Sequence, residues 1–320
     1  MIPSEEEVLR YFDELSNWGR WGSADQSGTL NLITPRKKVE AAGLVRDGVA
    51  VSCAWEIDPR PAPDHVFGTP QRHMLSTGQG LGDADRVLAP GVSDPPRWAG
   101  ASEYLGFVFH GYSVTHLDAL SHYFWDRRMY NNRPASLVTS GQGATHHAIT
   151  AVPDGVTTRG VLLDIAGVRD VDWLEPGEGV FPEDLRAAEE RQGVQIGPGD
   201  AVLLRTGYGR RRRERGADRT AEVGRAGWHA SSLPWLRERD VALIGCDTAQ
   251  DVHPSGYPSM RSPMHAIGIV AMGLWLLDNC DLEELEATCR RLGRWEFFFQ
   301  LSPLRIAGAT GSPANPIAIL

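Results

Sequence analysis

The chain has 320 residues, of which 42% are hydrophobic and 23% charged, a composition typical of a globular protein with one large folding unit. Its formal net charge of −9 at pH 7 argues against nucleic acids and anionic membranes as partners. The four cysteines form no CxxC pair, and no stretch reaches the roughly 18 apolar residues of a membrane span. We therefore expect a single domain over residues 1–320, in a cytoplasmic protein.

The first two predicted elements are helices with recognisable starts. Ser4 followed by Glu7 is a capping-box pattern that predicts a helix through about Leu15, and this acidic, amphipathic stretch is unlike a signal peptide. Thr34 and Pro35 fit the N-cap and the first position of a second helix. The Gly-, Asn- and Trp-rich sequence between the two helices indicates an ordered loop.

Short strands and loops follow. Residues 48–57 alternate in the manner of a strand. Residues 58–100 contain seven prolines and little apolar periodicity, which favours a lid or binding loop over a passive turn. The stretch 104–120 is punctuated by glycines and predicts one or two further strands.

The second half of the chain alternates apolar strands and helices irregularly. The run 264–280 is apolar all round and fits a strand, a helix or both, whereas Asp281 is in position to cap an amphipathic helix. Residues 308–320 are too apolar for solvent, so we expect them to dock on the body or on a neighbouring subunit. Strands are predicted at 160–165, 200–207, 241–249 and 295–306, and helices at 182–192, 233–239 and 281–292. Together these elements predict an α/β fold with a mixed sheet and flanking helices.

The stretch GYSVTHLDALSHYF, residues 111–124, groups several chemically active side chains. Residues two apart on a strand face the same way, so His116 and Asp118 would lie side by side. An imidazole beside a carboxylate suits a divalent cation such as Zn²⁺ or Mn²⁺. His122 follows four residues later, where it can be near the ion without binding it. A neutral histidine there would take a proton from an activated water, because its pKa lies near working pH.

Two later residues are candidates to complete the ligand set. His265 lies in the apolar stretch SPMHAIGIV, where an unpaired imidazole would be costly, and Asp278 follows two leucines. Each residue alone also fits a hydrogen-bonded core histidine or a helix cap, and this alternative stays open. The HxDxxxH spacing together with both residues favours a metal site.

The same stretch resembles the signature of the cyclase family of metal-dependent hydrolases, the family of bacterial kynurenine formamidase and isatin hydrolase. That signature reads His-x-Gly-Thr-His-x-Asp-x-Pro-x-His, and YSVTHLDALSH keeps its threonine, its second and third histidines and its aspartate. The resemblance covers most of the chain and includes WGSADQSGTLNLITP, GDAVLLRTGYG, LRERDVALIGCDT, PMHAIGIVAMGLWLLDN and PLRIAGATGSPANP. The resemblance is to the longer bacterial members of the family. It implies a swivelling β/β/α fold and a protein that is usually oligomeric.

The resemblance also implies a role for each matching residue. His116 and Asp118 would bind the metal, and His122 would act as general base or acid. His265 and Asp278 would complete the ligand set, with an aspartate at the position where the family usually has a glutamate.

The chain departs from the signature at the first ligand. Tyr112 stands where the signature has its first histidine, Val114 replaces its glycine and Leu120 its proline. His110 lies two residues before Tyr112, on the same face if the strand is regular. It would either supply the missing imidazole or remain a core histidine. Because one ligand is missing, we favour one metal ion per subunit over a binuclear site.

Aromatic residues are frequent near these positions. Most aromatic side chains belong to a protein core, but a metal site walled by aromatics suits a flat, ring-bearing small molecule. The sequence has no GxGxxG, P-loop or GxSxG pattern that would indicate a nucleotide cofactor or a serine nucleophile. We predict a substrate pocket formed by Tyr112, Trp21, Trp55, Phe67, Tyr123 and Trp125.

Three functions are compatible with such a site. The first, which we favour, is hydrolysis of an amide, lactam or lactone with Zn²⁺ or Mn²⁺ as cofactor and His122 as base. The second is a cyclase or dehydratase of a secondary pathway that uses the metal as a Lewis acid. The third is a non-catalytic ligand-binding protein on the same fold, because the first signature histidine is missing. We expect a homodimer or homotetramer.

Overall fold

A nine-stranded mixed sheet forms the centre of the computed structural model, which describes residues 2–79 and 99–320. Its strands are β1 (Ala50–Ser52), β2 (His116–Asp118), β3 (Val156–Asp164), β4 (Ala201–Arg205), β5 (Leu243–Cys246), β6 (Trp275–Asp278), β7 (Glu296–Leu301), β8 (Gly311–Pro313) and β9 (Ile317–Ile319). Across the sheet their order is β1–β9–β7–β3–β4–β5–β6–β2–β8. Helices flank the sheet, so the predicted α/β class is confirmed.

The four central strands, β3 to β6, are parallel, and the strands beside them run antiparallel. The residues of β4, β5 and β6 are buried throughout, which explains why their sequences are continuously apolar rather than alternating. Asp278 ends β6 inside this apolar core. A carboxylate in that position has little access to water and needs a partner of opposite charge.

The C-terminal residues determine how far the sheet curls. β8 pairs with β2 at one end of the strand order, whereas β9 pairs with β1 and β7 near the other end. Only residues 314–316 connect β8 to β9, so the two ends of the sheet must lie close together and the sheet curls toward a barrel. The apolar tail 308–320 therefore docks on the body of its own chain, one of the two expected arrangements.

Eight α-helices and one π-helix occur in the described residues. The α-helices are α1 (Glu5–Glu14), α2 (Pro35–Ala42), α3 (Ile165–Val168), α4 (Pro182–Gln192), α5 (Tyr208–Arg215), α6 (Thr220–Val223), α7 (Leu233–Glu238) and α8 (Glu283–Leu292), and the π-helix spans Met264–Met272. The capping box of Ser4 and Glu7 and the N-cap at Thr34 are confirmed. The expected cap at Asp281 is wrong, because Leu282 is the N-cap of α8 and the Asp281 carboxylate pairs with Arg213.

The apolar run 264–280 contains both a helix and a strand. Gly273 and Leu274 separate the π-helix from β6, and Gly273 has a φ of 64°, in the left-handed region where glycine costs least. π-Helical turns are rare and occur frequently at functional sites. His265 is the second residue of this helix and is buried.

Residues 58–100, predicted as a lid or binding loop, contain a strand, and 80–98 lie outside the described residues. Gln71–Ser76 pairs antiparallel with Ser102–Gly106 in a two-stranded ribbon whose Leu75 is 71% exposed. The smaller ribbons pair Arg128–Met129 with Arg133–Pro134, Val138–Thr139 with Gly143–Ala144, and Gly179–Val180 with Gly227–Trp228. The 3₁₀ turns are Gly28–Leu32, Tyr130–Asn132, Ala135–Leu137, Ile149–Ala151 and Ala230–Ser232. Among the described helices, none has both the length and the apolar character needed to cross a membrane.

Candidate metal centre

β2 places the predicted histidine and aspartate next to each other. His116 and Asp118 are both buried, and His116 Nε2 lies 3.4 Å from Asp118 Oδ1. β2 is held between β6 and β8 by antiparallel pairing, which fixes the face that each side chain occupies. The strand alternation that the sequence predicted is present at this position.

β6 and the π-helix bring two more of the predicted residues to Asp118. Asp278 lies opposite His116 in the strand pairing, with its Oδ2 3.9 Å from His116 Nε2. His265 Nε2 lies 3.5 Å from Asp118 Oδ2 and 3.5 Å from Asp278 Oδ2. Residues separated by more than a hundred positions therefore meet at one carboxylate.

His110 also reaches Asp118, although by a different route from the one expected. Residues 107–115 bend rather than form a strand, so no regular strand aligns His110 with Tyr112. His110 Nδ1 lies 3.0 Å from Asp118 Oδ1, and its Nε2 lies 3.1 Å from the Thr310 hydroxyl in the C-terminal tail. Tyr112 packs under the guanidinium of Arg225, whose Cζ is 5.3 Å from the ring centre.

His122 stacks on His110 at the edge of this group. The ring centres are 3.9 Å apart and the planes differ by 7°, and His122 Nε2 lies 3.8 Å from Asp118 Oδ2. Burial lowers the pKa of His122 to about 4; the Asp118 carboxylate opposes this shift and the neighbouring histidines add to it. His122 is therefore neutral at pH 7 and has a lone pair that can accept a proton, but its pKa lies below the near-neutral value expected from the sequence. The histidine–aspartate cluster consists of His110, His116, Asp118, His122, His265 and Asp278.

Hydrogen bonds at the outer nitrogens orient two of the imidazoles. His116 Nδ1 lies 2.8 Å from the Val114 carbonyl oxygen, which can only accept, so Nδ1 carries the proton. His265 Nδ1 donates in the same way to Asp251 Oδ2, at 2.5 Å. When both rings are neutral, Nε2 directs a lone pair at the carboxylates of the cluster. That arrangement is repulsive unless a cation lies between them.

The pKa shifts in the cluster also indicate that its centre favours a positive charge. Burial would lower the pKa of His265, but the surrounding carboxylates, first among them Asp118, raise it well above its usual value. Burial would also lower the pKa of His116, and Asp118 and Asp278 raise it instead. Burial would raise the pKa of Asp118, but the imidazoles around it hold that pKa well below its ordinary value. The cluster thus favours positive charge at its centre.

The donor atoms fit a divalent metal ion. Asp118 belongs to two overlapping groups, one with His110 and His116 and one with His122 and His265, and the donor atoms within each group lie within 4.8 Å of one another. Both carboxylate oxygens of Asp118 are buried and accept no hydrogen bond from any described residue. A buried carboxylate without donors is costly, and imidazole with carboxylate is a preferred donor set for Zn²⁺ and Mn²⁺.

Three of the aromatic residues predicted to wall the site lie beside the cluster or its connecting loop. The ring of Tyr123 is 5.6 Å from that of His265. Phe67 packs against Gly111, where an added Cβ would come within 3.2 Å of the ring. Tyr112 lies in the same loop as Gly111, with its ring against the Arg225 guanidinium.

The other three predicted aromatic residues contact groups outside the cluster. Trp55 lines a cavity of about 720 Å³ beside residues 113–114. Trp125 stacks on Phe12 with ring centres 4.9 Å apart, and the Arg20 guanidinium covers Trp21 at 4.8 Å. Within the described ranges, none of these three rings makes an aromatic contact with a histidine of the cluster.

Two residues that the sequence did not single out support the cluster. Asp251 is buried, binds His265 and accepts a hydrogen bond of 2.6 Å from the Met264 backbone N–H, which fixes both the carboxylate and the ring. The ring of Phe109 lies 4.5 Å from that of His110. The position of Asp251 among polar residues just after the buried strand β5 was the available signal. Nothing in the sequence distinguished Phe109 from a core aromatic.

The chain is similar to known proteins over most of its length. The model of the Cyclase family matches residues 38–250. A crystal structure described as a novel cyclase is 32% identical, with a TM-score of 0.83 over 95% of this chain and 99% of that one. Isatin hydrolase A from Labrenzia aggregata is 21% identical, with a TM-score of 0.58 over 87% of this chain and 94% of the other. The enzyme from Ralstonia solanacearum is 22% identical, with a TM-score of 0.58 over 87% and 93%.

The two isatin hydrolases share the fold with this chain. A search of the curated proteins finds no match. The family match spans more than half of the chain and includes β2 with His116 and Asp118. The chain therefore belongs to the cyclase family.

Proposed function

We propose that the protein is a metal-dependent hydrolase that cleaves an amide, lactam or lactone. The observation that carries this proposal is Asp118, a fully buried carboxylate without a hydrogen-bond donor among the described residues and with imidazoles around both of its oxygens. The likeness to isatin hydrolases, together with membership of the cyclase family, supports the same reaction class.

His116, Asp118 and His110 would hold one divalent ion, Zn²⁺ or Mn²⁺, and His265 and Asp278 would complete its surroundings. When bound, such an ion supplies Lewis acidity, which lowers the pKa of water and polarises a carbonyl group. The protein fixes the ligands beforehand: Val114 orients His116, Asp251 orients His265, and the Thr310 hydroxyl contacts the outer nitrogen of His110.

His122 would carry the proton in this reaction. Its Nε2 faces the cluster, and its pKa of about 4 keeps it neutral at pH 7. It would accept a proton from the attacking water as the oxygen adds to the carbonyl carbon. It would return that proton to the leaving nitrogen or oxygen as the C–N or C–O bond breaks. The flat stack with His110 holds its ring in place.

The aromatic side chains near the cluster support a ring-bearing substrate. Tyr123, Phe67 and Phe109 lie near the histidines or the loop that carries them, and flat side chains of this kind pack well on planar ligands. The substrate would bind with its carbonyl toward the cluster and its ring toward these side chains.

The test compares His122→Gln with His116→Ala. Purified variants would be assayed on isatin, simple aryl formamides and lactones, and their metal content measured by elemental analysis. We expect His122→Gln to keep its metal and to lose about 10²- to 10⁴-fold in kcat, because it removes proton transfer alone. His116→Ala should lose both metal and activity.

His146→Gln, at a half-buried histidine outside the cluster, is the matched control and should behave as wild type. Removal of metal with a chelator should abolish activity, and re-addition of Zn²⁺ or Mn²⁺ should restore it. Full activity in chelator-treated protein of verified metal content would contradict the proposal.

A further inference from the structure

Arg225 carries a buried guanidinium that has no ionic partner among the described residues. Arg225 is 5% exposed, and its Nε and Nη1 atoms are buried and make no hydrogen bond to any described residue. Among the residues that the structure describes, Arg225 takes part in no ion pair. A buried cation in this state is costly, because it has lost its water and gained no anion in exchange.

Another equally buried arginine in this chain shows what a structural arginine looks like. Arg205 is also 5% exposed, and it donates to Asp164 and to Glu283 at 2.7 Å each. The guanidinium of Arg205 is thus neutralised by carboxylates of the same chain. Because Arg225 has no such carboxylate among the described residues, the contrast indicates that its guanidinium binds an anion from outside the chain.

The position of Arg225 connects it to the site. Its backbone N–H and C=O both bond to His253, at 3.1 and 3.0 Å, and His253 follows the Asp251 that orients His265. Its guanidinium covers the ring of Tyr112, in the loop between His110 and β2. Arg225 thus lies between the two segments that supply and orient the ligands of the cluster.

The surroundings of Arg225 are positively charged. Burial lowers the pKa of His253, and the charges of Arg225 and Arg261 lower it further, with only Asp251 acting in the opposite direction. The Asp251 carboxylate is already used by His265 and by the backbone of Met264. Within residues 2–79 and 99–320, no carboxylate pairs with Arg225.

We propose that Arg225, supported by the ring of Tyr112, binds a carboxylate group of the substrate. The inference rests on the proposed hydrolase function and narrows it to ring-bearing amides or lactones that carry a carboxylate. Tyr112, which stands at the position of the first signature histidine, then serves as the aromatic face beneath the guanidinium. Charge-assisted hydrogen bonds from Arg225 would hold the substrate while its carbonyl group meets the cluster.

Binding to metal-free protein tests the subsite independently of turnover. Benzoate and its uncharged analogue benzamide would be titrated by calorimetry into wild type, Arg225→Gln and Arg225→Lys. We expect wild type to bind benzoate about 10- to 100-fold more tightly than benzamide, Arg225→Gln to lose that preference and Arg225→Lys to keep part of it. Arg291→Gln, at an exposed arginine of α8, is the matched control and should retain the full preference.

The melting temperature of the protein without ligand tests whether Arg225 has a purely structural role. Arg225→Met removes an unpaired buried charge and keeps the side chain's length, so its melting temperature without ligand should equal or exceed that of wild type. A lower melting temperature would overturn the proposal. So would equal benzoate affinity in wild type and Arg225→Gln.

Kinetics with metal-loaded enzyme separate this proposal from the hydrolase proposal. Formanilide would be compared with the three isomers of formamidobenzoate. We expect Arg225→Gln to raise the KM about 10- to 100-fold for the best formamidobenzoate. The KM for formanilide, which has no carboxylate, should not rise with it. If wild type hydrolyses these compounds and the variant shows no such selectivity, the subsite proposal fails alone. If none is hydrolysed but the benzoate preference still depends on Arg225, the subsite stands and the hydrolase proposal loses its support.

Discussion

His116 and His265 show, at the scale of single residues, that a metal ion and protons compete for the same nitrogens. Neighbouring carboxylates raise the pKa of both imidazoles from the usual histidine value, that of His265 well above it. Without metal, these shifts favour the protonated form of both rings, most strongly for His265. Metal ligation needs the neutral rings, so binding must release these protons.

We predict that metal affinity falls as the pH is lowered through the raised pKa values, by up to about 100-fold per pH unit when both rings are protonated. Titration calorimetry of Zn²⁺ in buffers with different ionisation enthalpies would count the released protons. His122→Gln should release the same number, because the pKa of His122 is already about 4. Metal binding without proton release near pH 7 would contradict this account of the cluster.

At the scale of elements, β8 shapes the cluster although none of its residues belongs to it. Gly311 pairs with Asp118, and a Cβ at Gly311 would lie 2.7 Å from His110 Cε1 and 2.7 Å from the Leu117 carbonyl oxygen. The close approach of this strand to the His110 ring therefore requires glycine.

We expect Gly311→Ala to displace His110, to weaken metal binding and to lower the free energy of unfolding by about 1–3 kcal/mol. Metal affinity and chemical denaturation would be measured on the same preparations. Gly141→Ala is the matched control, since nothing lies within 4 Å of its added Cβ. Unchanged metal affinity in Gly311→Ala would show that His110 is not held by this strand.

Local sequence patterns predicted some of these elements well and others poorly. The capping signals located α1 and α2, and the predicted helix 182–192 has the same bounds as α4. The predicted strand 48–57 contains only the three residues of β1, because pairing with β9, a remote segment, determines where it ends. Strand β8 in the tail escaped prediction for the same reason: its partner, β2, lies far away in the sequence.

The same distinction applies to the site. His116 and Asp118 followed from the period of a strand, a local property. His265 and Asp278 could be proposed from their apolar surroundings, but their meeting at Asp118 depends on the strand order of the whole sheet. Arg225 lacked a local signal, and the position of Asp251 after β5 was a weak one, because the importance of both residues depends on which groups face them in three dimensions.

At the scale of the whole molecule, the cluster ties together separate parts of the sheet. β2 and β6 lie near one end of the strand order, and the π-helix packs against β6. The tail strand β8 pairs with the free edge of β2. A ligand that binds only this assembled arrangement stabilises the whole fold against unfolding.

The homodimer or homotetramer stays a prediction, and elution as a monomer at micromolar concentration would count against it.

Metal binding should therefore raise the melting temperature of the entire chain and not only change the flexibility of one loop. At a free metal concentration 1,000 times the dissociation constant, linkage gives about 4 kcal/mol, or about 5–10 °C for a chain of this size. Differential scanning calorimetry of metal-free and reloaded protein would measure the shift. Asp118→Asn should abolish it, because Asp118 is common to both ligand groups, while His146→Gln should keep it. An equal shift in Asp118→Asn would mean that the stabilising ion binds somewhere other than the cluster.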